Sequence, residues 1–224
     1  MIKIGIIGAM ESEIEIFKSQ IKNLQTTMRQ GKVFYTGQLQ GKEVVLTQSG
    51  IGKVHAALSA QTLIGHFEVS HLINSGVAGA ISDQLKPGDV VISTDLVYHD
   101  VDVTGFGYPA GQIPGVNSPF FEADKQLVIL GSVEDVHVGR IATGDQFINN
   151  NAKKEEIRTT FDPLCVEMEG AAVAHVCHLS HTPFVVIRAI SDAASGDAEE
   201  AFETNLETGV ARATAITTHI IAKL

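Results

Sequence analysis

Cysteine is nearly absent from this chain: Cys165 and Cys177 are the only two in 224 residues, and they form no CxxC pair. That usage excludes a dense disulfide framework and suits a reducing, cytoplasmic setting. Basic charge is also scarce, with 16 Lys and Arg against 26 Asp and Glu and a formal net charge of -10. Such a balance argues against nucleic-acid and anionic-membrane partners, which attract clustered Lys and Arg. No apolar run approaches the length of a membrane span. The apolar start MIKIGIIGAM lacks the basic flank, long apolar region and small-residue cleavage site of a signal peptide, and reads as a strand. No Ser/Pro/Gly-rich or highly charged tract suggests a linker. The expectation is one domain over residues 1–224, long enough to bury a core without disulfides or metal.

What is present is an alternation of short Val- and Ile-rich runs with helical patterns. Lys3 to Gly8 reads as a strand and Glu11 to about Ile21 as a helix. VFYTGQLQGKEVVLTQSG predicts two strands bent at Gln40-Gly41, and GKVHAALSAQTLIGHF predicts a helix. Further strands are expected at HLINSG, DVVISTDLVYH, VHVGRIATGD and PFVVIRAISD. Helices are expected from Glu169 to Leu179 and from about Phe202 onward, where Val210, Ile216 and Ile220 form an apolar stripe. Runs such as VVIRAI imply strands covered on both faces. The expected fold is therefore α/β, with a central mixed, mostly parallel twisted sheet flanked by helices. Ligands bind such sheets beyond the carboxyl ends of the strands, so site residues are sought just after each run.

Several constellations admit two readings. The turn GAMESE is not GxGxxG, and no acid closes a second strand about twenty residues on, which counts against NAD or FAD. Its Glu11, Glu13 and Glu15 fit an ordinary first helical turn complementing the helix dipole. In VEMEG, Glu167 and Glu169 bracket Met168 between a strand end and an Ala-rich helix. If that stretch is extended they face opposite sides, so one points into a given pocket; either alone is equally well a capping or surface acid. In FVVIRAISD, Arg188 and Asp192 are four apart, and an extended strand puts them on one face. They either pair structurally, with each other or with Glu167 or Glu169, or they serve chemistry. Burial would raise the pKa of Asp192, as a general acid near neutrality requires. His175, Cys177, His178 and His181 cluster in sequence, but His175 and His178 are i, i+3 and no HExxH accompanies them, so no metal is expected. No GxSxG elbow appears, and neither cysteine has an evident activating partner.

As a set, GIIGAMESE, TQSGIGKVHAA, INSGVAGA, YHDVDVTGFGYPAGQIPG, TGDQFI, VEMEGAAVAHVC and VVIRAISD resemble the 5'-methylthioadenosine/S-adenosylhomocysteine nucleosidases of the nucleoside phosphorylase/hydrolase superfamily. The resemblance spans almost the whole chain. It implies a nucleoside phosphorylase-like fold and an N-glycosyl hydrolase that releases adenine from methylthioadenosine and S-adenosylhomocysteine without metal or organic cofactor. It implies Asp192 as the acid that protonates the adenine imidazole nitrogen, and Glu13 as the base that activates water. Glu169 would hold the ribose hydroxyls, Met168 would pack on the sugar, Arg188 would hold the water and acid cluster, and Ser191 would orient Asp192. Phe147 and Ile148 would form the adenine site. Met10, Ile51 and Phe202 would line the 5'-thioalkyl pocket, with Val103, Phe106 and Pro114 reaching in from the second subunit of a homodimer.

Two departures accompany the resemblance. Val77 stands where some nucleosidases carry Ser, which puts one polar contact in doubt, and the stretch FFEADKQLVILGSVEDVHVG implies a clipped helix. Against a phosphorylase, Asn74 and Val77 occupy positions where related phosphorylases carry a phosphate-binding Arg and Ser, and Glu13 would repel the anion. A purine-nucleoside phosphorylase and a nucleoside-binding protein without turnover are the alternatives. 5'-Deoxyadenosine and aminofutalosine share the same base and ribose and are further candidate substrates.

Overall fold

In the computed structural model, which describes residues 2–224, the chain begins as its sequence predicts. Strand β1 (Lys3–Gly8) runs into helix α1 (Glu11–Gln20), followed by β2 (Lys22–Arg29), β3 (Lys32–Leu39) and β4 (Lys42–Gln48). Then come α2 (Lys53–Gly65), β5 (His71–Ala80), β6 (Val90–Tyr98), β7 (Phe120–Glu122) and α3 (Lys125–Gly131). The chain continues through β8 (Val136–Thr143), α4 (Asn151–Phe161), β9 (Cys165–Glu167), α5 (Gly170–Ser180), β10 (Phe184–Asp192) and α6 (Ala198–Lys223). No helix among the described residues is long and apolar enough to cross a membrane.

The sheet is mixed, as expected, but it is not mostly parallel. The pairs β1–β4, β1–β5, β5–β10, β6–β8 and β8–β9 are parallel, whereas β2–β3, β3–β4, β5–β9, β6–β7 and β6–β10 are antiparallel. Strands β5, β10, β6, β8 and β9 close into a ring, which runs-and-helices reasoning cannot reveal because closure depends on long-range pairing. From β5 an open flange extends through β1, β4, β3 and β2.

Strand β5 is the hub. One of its edges pairs wholly with β10, and the other is shared: β1 pairs as far as Asn74, and β9 joins only at Gly79. The backbone between those points is left free to serve a ligand or a side chain rather than a ladder. Every residue of β10 is buried, as is β5 from Leu72 onward, which accounts for their uninterrupted apolar runs. Each fully buried Ile, Leu or Val side chain there contributes about 1.5–3 kcal/mol.

Elements missing from the sequence reading lack a strong apolar period. In β2 every residue but the half-buried Thr27 is exposed, and α4 buries only Ile157 and Phe161. The clipped helix is present as the seven-residue α3, capped by Asp124 and seated on the buried Leu127.

Strand β2 keeps its place by folding over Gly37. The β2–β3 register slips between Lys22 and Gln25, and a Cβ at Gly37 would stand 2.5 Å from the Lys22 carbonyl oxygen and collide with Ile21. Gly37→Ala should therefore lower stability by about 1–3 kcal/mol in urea unfolding. An unchanged midpoint would show that the hairpin shifts freely.

Candidate active site

The carboxyl ends of β1, β5, β9 and β10 surround a cavity of about 410 Å³. Helix α1 starts at one side of it. Glu13, buried in the first turn, accepts hydrogen bonds at Oε2 from the Ala9 (2.6 Å) and Met10 (3.0 Å) N–H groups. Its Oε1 accepts from the Val77 N–H at 3.1 Å, inside the unpaired stretch of β5. Burial raises its pKa, against the opposing pull of Arg188 and the three N–H donors. Glu11 and Glu15 behave as ordinary first-turn acids, bonded to Lys18 on the surface. Because residue 77 serves Glu13 through its backbone, valine costs nothing in that contact.

Glu167 and Glu169 both line the cavity, which corrects the alternation argument. Strand β9 ends at Glu167, and Glu169 already caps α5 with φ -132° and ψ -39°, so the period of two does not reach it. Glu167 binds Arg188, the Thr143 hydroxyl and the N–H groups of Glu169 (3.1 Å) and Gly170 (2.7 Å). Arg188 is fully buried and also donates to Asn74 Oδ1 at 2.7 Å. Glu169 Oε2 lies 3.7 Å from the guanidinium, and its Oε1 accepts from the Gly52 N–H at 2.8 Å. Burial and the charge of Glu167 push the Glu169 pKa up to about 8.

Arg188 and Asp192 do not meet. A register shift between Ile190 and Asp192 breaks the extended period, setting Arg188 opposite Gly76 and Asp192 opposite Gly79. These glycines admit the carboxylates: a Cβ at Gly76 would collide with Glu13 Oε1, and one at Gly79 would stand 2.7 Å from Asp192 Oδ1. Asp192 accepts from the Ser191 hydroxyl and the Ala194 N–H, each at 2.8 Å. Burial raises its pKa. Carboxyls therefore stand at two separate places around one cavity, and a single buried cation is bonded to one of them.

Of the residues singled out in the sequence, Met10, Glu13, Ile51, Val77, Phe147 and Ile148 line the cavity, as do Met168, Glu169, Ser191, Asp192 and Phe202. The rings of Phe147 and Phe202 meet edge to face at 6.1 Å. Arg188 lies behind the lining. Val103, Phe106 and Pro114 are not part of it, and Phe106 is 86% exposed. Sequence reasoning left out Thr143 and gave Glu167 no binding role, although VEMEG pointed at the latter. No Lys, Arg or His among the described residues lines the cavity. Among the described residues, no group of three or more His, Cys, Asp or Glu could hold a metal ion; His175 instead stacks on Phe121 at 4.7 Å.

The family model described as Phosphorylase superfamily matches residues 3–222. A 5'-methylthioadenosine/S-adenosylhomocysteine nucleosidase of Bacillus velezensis is 43% identical over 99% of both chains. Among solved structures, an S-adenosylhomocysteine nucleosidase from Streptococcus pyogenes, bound to 5-methylthiotubericidin, superposes with a TM-score of 0.96. It is 39% identical, over all of this chain and 97% of the other. A 5'-methylthioadenosine/S-adenosylhomocysteine nucleosidase from Neisseria meningitidis in complex with methylthio-immucillin-A gives a TM-score of 0.97 at 39% identity, with both chains fully covered.

The raised Glu169 pKa has a consequence for stability. Between its ordinary value of 4.5 and about 8 the folded protein holds a proton that the unfolded chain releases. That contribution to stability is therefore complete at low pH and is lost as pH rises through this window. Urea midpoints should fall less steeply between pH 5 and 8 in Glu169→Gln than in the native protein; parallel curves would mean that Glu169 is ionised throughout.

Proposed function

Because the chain belongs to the 5'-methylthioadenosine/S-adenosylhomocysteine nucleosidases of the phosphorylase superfamily, we propose that its cavity hydrolyses the N-glycosidic bond of both nucleosides by an acid-assisted, dissociative route. The observation that carries this reading is the pair of separated, buried acids, Glu13 and Asp192, in a cavity whose remaining lining is largely apolar.

Asp192 is the general acid. Burial raises its pKa, the direction a general acid requires, and it gives its proton to the adenine imidazole nitrogen. The C1'–N9 bond then breaks with its electron pair leaving on a neutral base. Ser191 and the Ala194 N–H fix the carboxyl in place. Phe147 stacks on adenine, Ile148 reads the edge of the base through its backbone, and Met168 packs on the ribose. Glu169 accepts hydrogen bonds from the ribose hydroxyls, and these strengthen as positive charge develops on the sugar. Glu13 takes a proton from the water that adds to the anomeric carbon. Arg188 keeps Glu167 neutralised and the neighbouring acids in register.

Water is favoured over phosphate as nucleophile. A phosphate dianion needs convergent cationic donors; no cation lines this cavity, and Arg188 is already engaged by Glu167 and Asn74.

The 5'-thioalkyl group lies against Met10, Ile51 and Phe202, and the pocket is completed in a homodimer by Val103, Phe106 and Pro114 of a second copy. Supporting this, Ile51 just before α2 and Val54 and Leu58 within it are 54%, 79% and 38% exposed, and Phe106 is 86% exposed. Apolar exposure of this kind fits an association surface.

Asp192→Asn should retain fold and nucleoside binding yet release adenine about 10²–10⁴-fold more slowly, because an amide has no proton to give. Glu13→Gln should likewise bind and turn over slowly. In the native protein the rate should decline on the alkaline side, as Asp192 loses its proton above its raised pKa. Normal turnover by Asp192→Asn, followed as adenine release from methylthioadenosine, would end the assignment.

A further inference from the structure

Four hydrogen bonds join four segments that are remote in sequence, of which only Glu169 belongs to the cavity lining. The Lys53 N–H donates to Asp145 Oδ1 at 2.8 Å, and the Lys53 ammonium donates to Asp100 Oδ2 at 2.6 Å. The same Asp100 oxygen accepts the Asp145 N–H at 2.8 Å. Immediately before Lys53, the Gly52 N–H donates to Glu169 Oε1 at 2.8 Å. Immediately after Asp145, Gln146, Phe147 and Ile148 line the cavity.

An exposed ion pair would contribute only about 0–1 kcal/mol and order little. This one is different in placement. The Asp100 side chain is 12% exposed and that of Lys53 23%, and the Lys53 ammonium also sits over the face of Tyr98, 5.3 Å from the ring centre. The buried ring of His99 fills the space against Gly144, where the loop leaves β8. Burial disfavours charge on Asp100, yet the Lys53 and Asp145 donors outweigh it and hold its carboxyl below its usual range.

We infer that Lys53 and Asp100 are positioning residues: with Asp145 they clamp the base-reading loop to the Gly52–Glu169 contact, so that the adenine and ribose subsites are set as one unit. Neither touches the cavity. The inference rests on the nucleosidase reading above, in which Phe147 and Ile148 meet adenine and Glu169 meets ribose. Cutting the clamp leaves every lining side chain present but lets the loop drift relative to the ribose site, and misplacement by about 1 Å in such sites costs up to about 100-fold.

The test uses Lys53→Met, which keeps the stem and loses the charge, and Asp100→Asn. Adenine release from methylthioadenosine by the native protein is measured first; its absence would sink the nucleosidase reading itself. Given native activity, both variants should raise KM and the inhibition constant of free adenine by about 5- to 50-fold, with kcat falling less than KM rises. Melting temperatures should stay within a few degrees, and Lys53→Arg should recover part of the adenine affinity. The double variant should be no worse than the weaker single one, as members of one clamp are not additive. Adenine affinity within twofold of native in both variants would overturn the clamp. So would a loss of affinity seen only together with loss of folded protein, since that would make the cluster a support of the fold alone.

Discussion

The buried guanidinium of Arg188 is the constraint on which the site depends. A cation with 2% side-chain exposure survives only when compensated, and here Glu167 and Asn74 bind it directly while Glu169 stands 3.7 Å away. The network joins β5, β9 and β10 at the place where the sheet closes. It also fixes the charge of the cavity. One guanidinium faces Glu13, Glu167 and Glu169, so it cannot neutralise them all, and burial raises the pKa of Glu13 and Glu169. With that one guanidinium already engaged, the site offers an incoming anion no free cationic partner.

The closed ring explains how the parts reach one another. Strand β5 gives one edge to β10 and divides the other between β1 and β9, leaving the Val77 N–H free to bind Glu13. The register shift in β10 then turns Asp192 toward Gly79, away from the Arg188 network. Acid and base are thereby kept on separate supports around one cavity, so that each keeps its own surroundings and its own protonation state.

Much of this was legible in the sequence. The apolar runs of β1, β4, β5 and β10 are long and unmixed, so their type could be read locally, and GAMESE, VEMEG and RAISD carried the carboxylates that line the cavity. What failed was whatever depends on partners distant along the chain. Period-two reasoning placed Arg188 and Asp192 together and separated Glu167 from Glu169, because neither the register shift nor the end of β9 leaves a local mark. Strand β2 escaped notice since its residues are almost all exposed, and Thr143 escaped because a lone threonine at a strand end has no distinctive neighbour. The antiparallel pairs β5–β9 and β6–β10 that close the ring likewise join strands far apart along the chain, which no single segment encodes.

The central claim is that a cavity lined by carboxyls and by no cation uses water. The most direct test is adenine release from methylthioadenosine in phosphate-free buffer, repeated after phosphate is added. The account predicts the same rate in both, with free thioribose as the second product. A rate that requires phosphate, with a ribose 1-phosphate appearing, would contradict it.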